Sequence, residues 1–277
     1  MPRTFRAMPT FNGVGVSQTA TLDLPIGLTY HNLLLDLSGG TFAPSNIDEI
    51  RVKANGRTIY TVDGLDLDVI NKFDGRVGSV IALFLDFERY GLKTRAATEI
   101  TAIGTGAPRN TNAQSPLYNP TPLGTLQLEV DIDGSAVTPA LTAFAHQSAA
   151  RPLGLIRHRR RFIYSPSGSG DFEISNLPRG LLIDKVYMKS AGDLIVSVKV
   201  DRDNFRIFDR TAAQNNLVQS DGVRVPQSSW FVYDPTEEGN GAESLVTKNV
   251  NDLRFIVNVS GADTVTLYVD YIGGFAG

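Results

Sequence analysis

Leu155-Ile-Arg-His-Arg-Arg-Arg-Phe162 stands in the middle of a chain of 277 residues, between two segments that follow the same order of predicted elements. In the first segment, Leu24-Pro-Ile-Gly27 opens a strand, Asn55-Gly56 turns a hairpin, and a short helix follows. In the second, Leu177-Pro-Arg-Gly180 opens a strand, Asp201-Arg-Asp-Asn204 turns a hairpin, and a short helix again follows. The sequence therefore predicts one module written twice.

Alternation of apolar and polar residues predicts strands in both modules, because successive side chains of a strand point to opposite faces of the sheet. Asn55-Gly56 strengthens the prediction, since a type I′ hairpin turn needs two residues that tolerate positive φ. The predicted strands are residues 18–24, 28–37, 47–54, 57–62, 79–88, 125–132, 181–189, 194–200, 205–209, 252–259 and 264–272. Short strands at this spacing predict an all-β chain built as antiparallel sandwiches or barrels.

Three short segments have apolar residues at helical spacing instead, namely residues 65–73, 140–150 and 211–219. In the second of these, Leu141, Phe144, Ala145 and Ser148 would share one helical face, and Pro152 would end the helix. The predicted organisation is an N-terminal arm (1–17), a first module (18–139), a helix-containing linker (140–162) and a second module (163–277).

The composition excludes several classes of function. Apolar residues make up 42% of the chain and charged residues 20%, as in an ordinary soluble globular protein. A net charge of −3 gives no overall positive field, so we predict no sequence-specific nucleic-acid binding. Disulfide and thiolate chemistry are excluded because the chain has no cysteine. Since no secretion signal or apolar run of about 20 residues is present, we expect a soluble chain made inside the cell.

Histidines and carboxylates give no specific signal for a catalytic or metal site. The three histidines (His31, His146 and His158) are scattered and lack the spacing of zinc ligands. Carboxylates cluster in Asp131-Ile-Asp133, in Asp201-Arg-Asp203 and in the group Asp63, Asp66 and Asp68. Paired carboxylates suit calcium binding or general acid–base chemistry. Solvated turns and strand faces are the simpler interpretation, with structural calcium at an interface as the alternative.

The basic run is the sharpest local signal. In an extended chain, Arg157, Arg159 and Arg161 would lie on one side, and His158 and Arg160 on the other. Such a run is either a solvated linker or a contact with acidic groups of a neighbouring subunit, with lipid headgroups or with nucleic acid. Arginine suits carboxylate and phosphate partners, because its planar fork donates two parallel hydrogen bonds.

Seven short segments, in this order along the chain, resemble the major capsid proteins of PM2-like bacteriophages, whose capsids enclose a membrane. They are residues 24–30, 125–133, 141–148, 159–163, 171–179, 187–192 and 268–273. The loops 104–122 and 221–247 lie outside the resemblance.

The resemblance implies two tandem eight-stranded jelly-roll β-sandwiches and a non-enzymatic role in a virion. Three copies would form a pseudo-hexameric capsomer that tiles an icosahedral shell over an internal lipid membrane and double-stranded DNA, and structural calcium is associated with that family. Under this hypothesis Arg157, Arg159, Arg160 and Arg161, together with Arg3 and Arg6 of the arm, contact a neighbouring subunit or the membrane. The loops 104–122 and 221–247 would form outward towers or contacts between capsomers.

Two other hypotheses stay open at the level of sequence. One is a double-jelly-roll glycan hydrolase or amidase that uses Asp131 and Asp133, or the group around Asp66, as paired acids. The other is a minor capsid or spike protein of the same kind of virus, which would share the fold.

Overall fold

Alternating burial along the strands builds the observed fold, for which a computed structural model describes residues 2–106 and 123–275. In Leu126–Ile132, for example, every second side chain is buried. The strands of the first half are β1 (Thr4–Ala7), β2 (Thr19–Asp23), β3 (Thr29–Ser38), β4 (Ile47–Ala54), β5 (Arg57–Val62), β6 (Ala82–Asp86), β7 (Ile103–Gly104), β8 (Leu126–Ile132) and β9 (Ala140–Ser148). Its helices are α1 (Gly64–Phe73) and α2 (Arg95–Glu99), with a 3-10 turn at Pro44–Asn46.

The second half repeats the strands of the first. Its strands are β10 (Leu155–Tyr164), β11 (Gly170–Ile174), β12 (Leu182–Ser190), β13 (Ile195–Arg202), β14 (Phe205–Thr211), β15 (Trp230–Tyr233), β16 (Leu245–Val246), β17 (Leu253–Val259) and β18 (Val265–Gly274). It has one helix, α3 (Ala212–Gln219), and a 3-10 turn at Gly241–Glu243. Within the described residues, each half therefore has eight strands and one additional strand of two residues. No helix in these ranges is long and apolar enough to span a bilayer.

The strands form three sheets that make two sandwiches. One sheet has the order β1-β9-β3-β6, and another has the order β11-β17-β13-β14. The third sheet runs β15-β12-β18-β10-β5-β4-β8-β2 and is shared by the two halves. It is continuous because β10 pairs in parallel with β5, at Arg159 and Tyr60. Each half thus packs four strands against four, around a separate hydrophobic core.

The two sandwiches have the same topology. The order β1-β9-β3-β6 in the first half corresponds to β10-β18-β12-β15 in the second, and β2-β8-β4-β5 corresponds to β11-β17-β13-β14. Both hairpins turn through two residues with positive φ, Asn55-Gly56 and Asp203-Asn204. The predicted duplication and the predicted pair of eight-stranded sandwiches are therefore confirmed.

The predicted short helices at residues 65–73 and 211–219 are present as α1 and α3, and each begins after a side chain that caps it. α1 begins after Asp63, whose carboxylate accepts hydrogen bonds from the backbone N–H groups of Leu65 and Asp66. α3 begins after Thr211, which forms a capping box with Gln214.

The predicted linker helix over residues 140–150 is wrong, because these residues form β9 between β1 and β3. The segment carries two apolar periods at once. Leu141, Ala143, Ala145 and Gln147 are buried at strand spacing, whereas Phe144 of the helical pattern is half-buried on the other face. Hydrogen bonding to a strand on each side stabilises the extended conformation of this segment over the helix. Only residues 149–154 connect β9 to β10, so the predicted linker 140–162 is too long.

The predicted N-terminal arm and one of the two predicted long loops contain strands. The arm 1–17 includes β1, which is an edge strand of the first sheet. Of the two predicted loops, 221–247 contains β15 and β16. Residues 107–122 of the other lie outside the described residues.

The short connection lies close against β7, and Gly104 makes this possible. A Cβ atom on Gly104 would lie 2.3 Å from the Pro152 carbonyl oxygen and 2.6 Å from that of Arg151. We expect Gly104→Ala to lower the free energy of unfolding by about 1–3 kcal/mol, because backbone must move to admit the methyl group. Gly154→Ala is the matched control, since a Cβ there meets nothing within 4 Å. Denaturant titration of both variants checks this, and equal stabilities would contradict it.

Candidate functional site: the charged seam between the two halves

The basic run lies inside the protein as part of β10. Arg157 and Arg159 are buried, and both point at Asp270 on the neighbouring strand β18. Arg159 donates to the two carboxylate oxygens of Asp270 through Nε (2.6 Å) and Nη2 (2.7 Å), and Arg157 Nη1 lies 3.5 Å from Oδ2. The predicted alternation of side chains is therefore present, but the predicted solvated linker is wrong. Burial also removes these two arginines from the predicted set of external contacts.

Arg159 also joins the first half of the chain. Its Nη1 donates to the Tyr60 hydroxyl of β5, and its guanidinium lies 4.7 Å from the centre of the Tyr60 ring. Arg157 donates to the backbone carbonyl of Asp86, which is again in the first half. We call this interface between the halves, formed by β5, α1 and the segment after β6 on one side and the β10-β18-β12-β15 sheet on the other, the seam.

Burial makes the charges of the seam depend on one another. Burial alone would raise the pKa of the Asp270 carboxyl, but the positive charges of Arg159 and Arg157 hold that pKa below its ordinary value. Burial raises the pKa of the Tyr60 hydroxyl to about 12, so it stays protonated. Asp270 is therefore an anion at neutral pH, as two buried guanidinium groups require.

A second group of charges lies on β12. Lys185 is buried, and its Nζ lies 2.9 Å from an oxygen of Asp74 at the end of α1 and 3.6 Å from Asp234. Burial would lower the pKa of the Lys185 ammonium, but Asp74 and then Asp234 raise it above its ordinary value. Arg224 donates to Asp234 at 2.7 Å. Burial would raise the pKa of Asp234, but Lys185 and Arg224 hold it below the ordinary value.

Two more contacts complete the seam. Arg89, after β6, donates from Nε to Asp184 of β12 at 3.0 Å. Lys189 Nζ lies 2.6 Å from Asp66 of α1, and the Tyr268 hydroxyl donates to the same carboxylate at 2.7 Å. Each of these contacts joins the two halves, so the seam fixes a single placement of one sandwich on the other.

The remaining arginines of the predicted contact set lie nearer the surface. Arg160 is partly exposed, with its guanidinium 5.6 Å from the Tyr271 ring centre, and Arg161 lies 3.5 Å from Glu49. Arg6 is exposed on β1. For these three residues an external contact stays a prediction.

Arg3 has partners within the chain. Its Nη2 donates to Glu88 at 2.6 Å and to Glu99 at 2.7 Å, and Oε1 of Glu88 also lies 2.6 Å from Nδ1 of the buried His31 ring. His31, Glu88 and Glu99 lie close enough together to hold a metal ion. They do not fit calcium, because a guanidinium already bridges the carboxylates and calcium prefers six to eight oxygen ligands.

The other carboxylate clusters also have local partners. Asp131 pairs with Arg51 at 2.6 Å, and Asp133 accepts from the backbone N–H of Ser135. Asp201 pairs with Arg206, and Asp203 accepts from two backbone N–H groups after β16. In the helix group, Asp63 caps α1, Asp66 belongs to the seam, and Asp68 pairs with Lys72. These carboxylates serve turns, caps and ion pairs.

Sequence reasoning missed the acidic partners of the seam. Asp270 and Asp184 each interrupt an apolar strand, in Tyr268-Val-Asp-Tyr271 and in Ile183-Asp-Lys185. A charge at such a place is the available signal, because ionised side chains are rarely buried without a partner. The sequence does not indicate which partner each has.

The geometry of fold and seam defines a class of protein, the double jelly roll, in which two jelly-roll sandwiches share one sheet and pack side by side. The sequence profile of the viral coat protein P2 N-terminal domain matches residues 5–148, and that of the C-terminal domain matches residues 156–275. The chain belongs to the viral coat protein P2 family. These families are structural coat proteins, so the chain is not an enzyme.

Individual relatives agree with this assignment. The major capsid protein P2 of Pseudoalteromonas phage PM2 is 27% identical over 280 residues, covering 98% of this chain and 97% of the phage protein. The crystal structure of that protein from bacteriophage PM2 has a TM-score of 0.86 at 25% identity, covering 99% of this chain and 98% of that chain. The crystal structure of the STIV MCP, with a TM-score of 0.72 and 9% identity, covers 98% of this chain and 97% of its own and shares the fold.

Removing the central anion of the seam should destabilise the fold strongly. We expect Asp270→Asn to lower the free energy of unfolding by about 3–5 kcal/mol, because two buried guanidinium groups lose their counter-ion. Asp252→Asn is the control, since Asp252 forms a half-exposed pair with Arg254 at 2.8 Å and should cost at most about 1 kcal/mol. Denaturant unfolding measures both, and similar losses would contradict the role of Asp270.

The seam also predicts how stability depends on pH. The folded-state pKa values of Asp270 and Asp234 lie below the ordinary 3.8. As the pH falls below about 4, the unfolded chain therefore takes up protons first, and the stabilisation from these pairs is lost towards their folded pKa values. Unfolding followed from pH 5 to about pH 2 should show falling stability, with a shallower slope in Asp270→Asn. An unchanged slope in that variant would refute the assignment.

Proposed function

We propose that this chain is the major capsid protein of a tailless, icosahedral, membrane-containing bacteriophage with double-stranded DNA. The observation that carries the proposal is the pair of equivalent jelly rolls joined by the seam, together with family membership over nearly the whole chain. Two equivalent units per chain suit a homotrimer with pseudo-sixfold symmetry. Such a capsomer would tile with its neighbours in the shell of the virion.

Partners beyond neighbouring capsomers belong to the same proposal. Arg6, Arg160 and Arg161 are candidates for contacts with another subunit, with viral membrane proteins or with lipid headgroups, since none of the three is buried. Synthesis in the host cytoplasm would precede assembly.

A minor capsid or spike protein is the second candidate, because it would share the fold. The relative that matches over 97% of its own length is named a major capsid protein, which favours the major role.

Assembly and copy number test the proposed function. We expect size-exclusion chromatography with light scattering to give the mass of three chains, and electron microscopy to show hexagonal particles. In purified virions the chain should be the most abundant protein by quantitative mass spectrometry. A strictly monomeric chain at high concentration would refute assembly, and a low copy number would favour the minor-protein alternative.

A further inference from the structure

The repeat extends to single residues. From β4 to β6, each residue corresponds without a gap to the residue 148 positions later, so that β4 matches β13 and β6 begins where β15 begins. The ion pair of Arg76 and Asp86 matches the pair of Arg224 and Asp234. A surface of one half can therefore be compared with its counterpart in the other.

The seam uses different surfaces of the two halves. The first half contributes β5 and α1, and the second contributes the outer face of its β10-β18-β12-β15 sheet. The contact is thus heterologous, and a repeated unit that makes a heterologous contact can make it again with the next unit. The surfaces needed for this second contact are β14 with α3 in the second half, and the outer face of the β1-β9-β3-β6 sheet in the first half.

The first of these surfaces is apolar and uncovered by the described residues. Val218 of α3 is 48% exposed, whereas its counterpart Ile70 is 2% exposed. Ile207 of β14 is 39% exposed, whereas its counterpart Ile59 is 3% exposed. Leu217 is also exposed. At Val218 and Ile207 the second half thus exposes apolar side chains, whereas the equivalent residues of the first half are buried.

The second surface, the outer face of the β1-β9-β3-β6 sheet, corresponds to the sheet face that the second half contributes to the seam. Both sheets have a register shift before the matching residues Asn32 and Lys185, which fixes the correspondence between them. The row of Lys185, Asp270 and Arg159 in the seam then matches Asn32, His146 and Phe5.

In this row Asn32 is buried and His146 is partly buried, whereas Phe5 and several residues beside the row are accessible and apolar. Phe5 is 50% exposed and stacks on Phe144, with ring centroids 5.2 Å apart. Leu34, Phe144 and Phe84 are half-buried where the seam has buried Tyr187, Tyr268 and Val232. The outer face of the first sheet is therefore a surface of the kind that a second protein covers.

A third region shows where the units meet. A Cβ on Gly75 would lie 2.7 Å from the Val223 carbonyl oxygen, and Gly75 and Val223 are equivalent residues. Equivalent points of two units related by rotation touch only when they lie near the rotation axis. Val77, two residues after Gly75, is 93% exposed, and its equivalent Val225, two residues after Val223, is 49% exposed. Closure of a ring would bury these side chains.

We propose that α3 and β14 of one copy dock on the outer face of the β1-β9-β3-β6 sheet of a second copy, with β14 beside β1 in parallel as β5 lies beside β10. This inference rests on the proposed function, which supplies the closed ring of three chains. The contact repeats the geometry of the seam and replaces its ion pairs by apolar contacts.

The proposed pairing places two exposed residues of different copies next to each other. In the seam Tyr60 pairs with Arg159, so Thr61 lies beside Arg160. Their counterparts are Asp209 on β14 and Arg6 on β1. The chain has no cysteine, so Arg6→Cys with Asp209→Cys introduces the only thiols. We expect mild oxidation to give covalent dimers and trimers on a non-reducing gel, because neighbouring strand positions fit disulfide geometry.

Arg6→Cys with Asp171→Cys is the matched control, since Asp171 is an exposed aspartate on β11, at the opposite edge of the same sheet as β14. Linkage of the first pair alone supports the proposal. If light scattering shows a trimer but the first pair does not link, or the control pair links instead, the docking surface is wrong while the proposed function stands. A monomer by light scattering overturns both.

In addition, Leu217→Asp should lower the trimer fraction without changing the secondary structure seen by circular dichroism, and an unchanged trimer fraction would contradict the role of α3.

Discussion

The buried pair of Arg159 and Asp270 is the interaction on which the arrangement of the two sandwiches depends. Moving either charge out of water is costly, and their attraction offsets this cost only while the geometry is maintained. Arg159 also donates to Tyr60 across the seam, so separating the halves would break a contact of a buried charge. Lys185, in turn, needs Asp74 of the first half. The charges therefore act less as a source of stability than as a specification of one geometry, because a displaced sandwich would leave several ions unpaired.

The same fold carries two kinds of contact surface, and chain connectivity explains why they can differ. The halves of one chain are joined by only six residues, so their effective concentration is high and the seam needs little affinity. Ion pairs with strict geometry are suited to that task. The outer surfaces must bring separate molecules together, and burial of apolar area supplies a favourable free energy for this without strict geometry. Phe5 on β1 and Val218 on α3 are consistent with this division, since both are exposed whereas their counterparts Arg159 and Ile70 are buried in the monomer.

Local chemistry in the sequence was sufficient for much of the fold. The hairpin at Asn55-Gly56 and the helix after Asp63 depend on contacts within a few residues, so the sequence pattern indicates them directly. β9 depends on two neighbouring strands that are distant in sequence, and its residues satisfy helical and strand periods equally. The seam could not be predicted for a similar reason. Arg159 lies 111 positions from Asp270, and a run of arginines is usually a solvated surface. Only the fold shows that its alternate members face a buried aspartate.

The edge strands indicate why such a unit assembles to a closed form. In the described residues β14 and β1 end their sheets, and open edges recruit further strands. Both edges carry charged residues, among them Arg206 and Asp209 on β14 and Arg6 on β1, which disfavour indiscriminate pairing. A heterologous contact that uses both edges grows into a filament unless its rotation closes. The contact of the equivalent residues Gly75 and Val223 places the axis close to the chain, which favours a tight ring over an extended filament. A ring of this kind leaves neither edge strand unpaired. The charged edges and the position of the axis therefore both favour an assembly that stops growing when the ring closes.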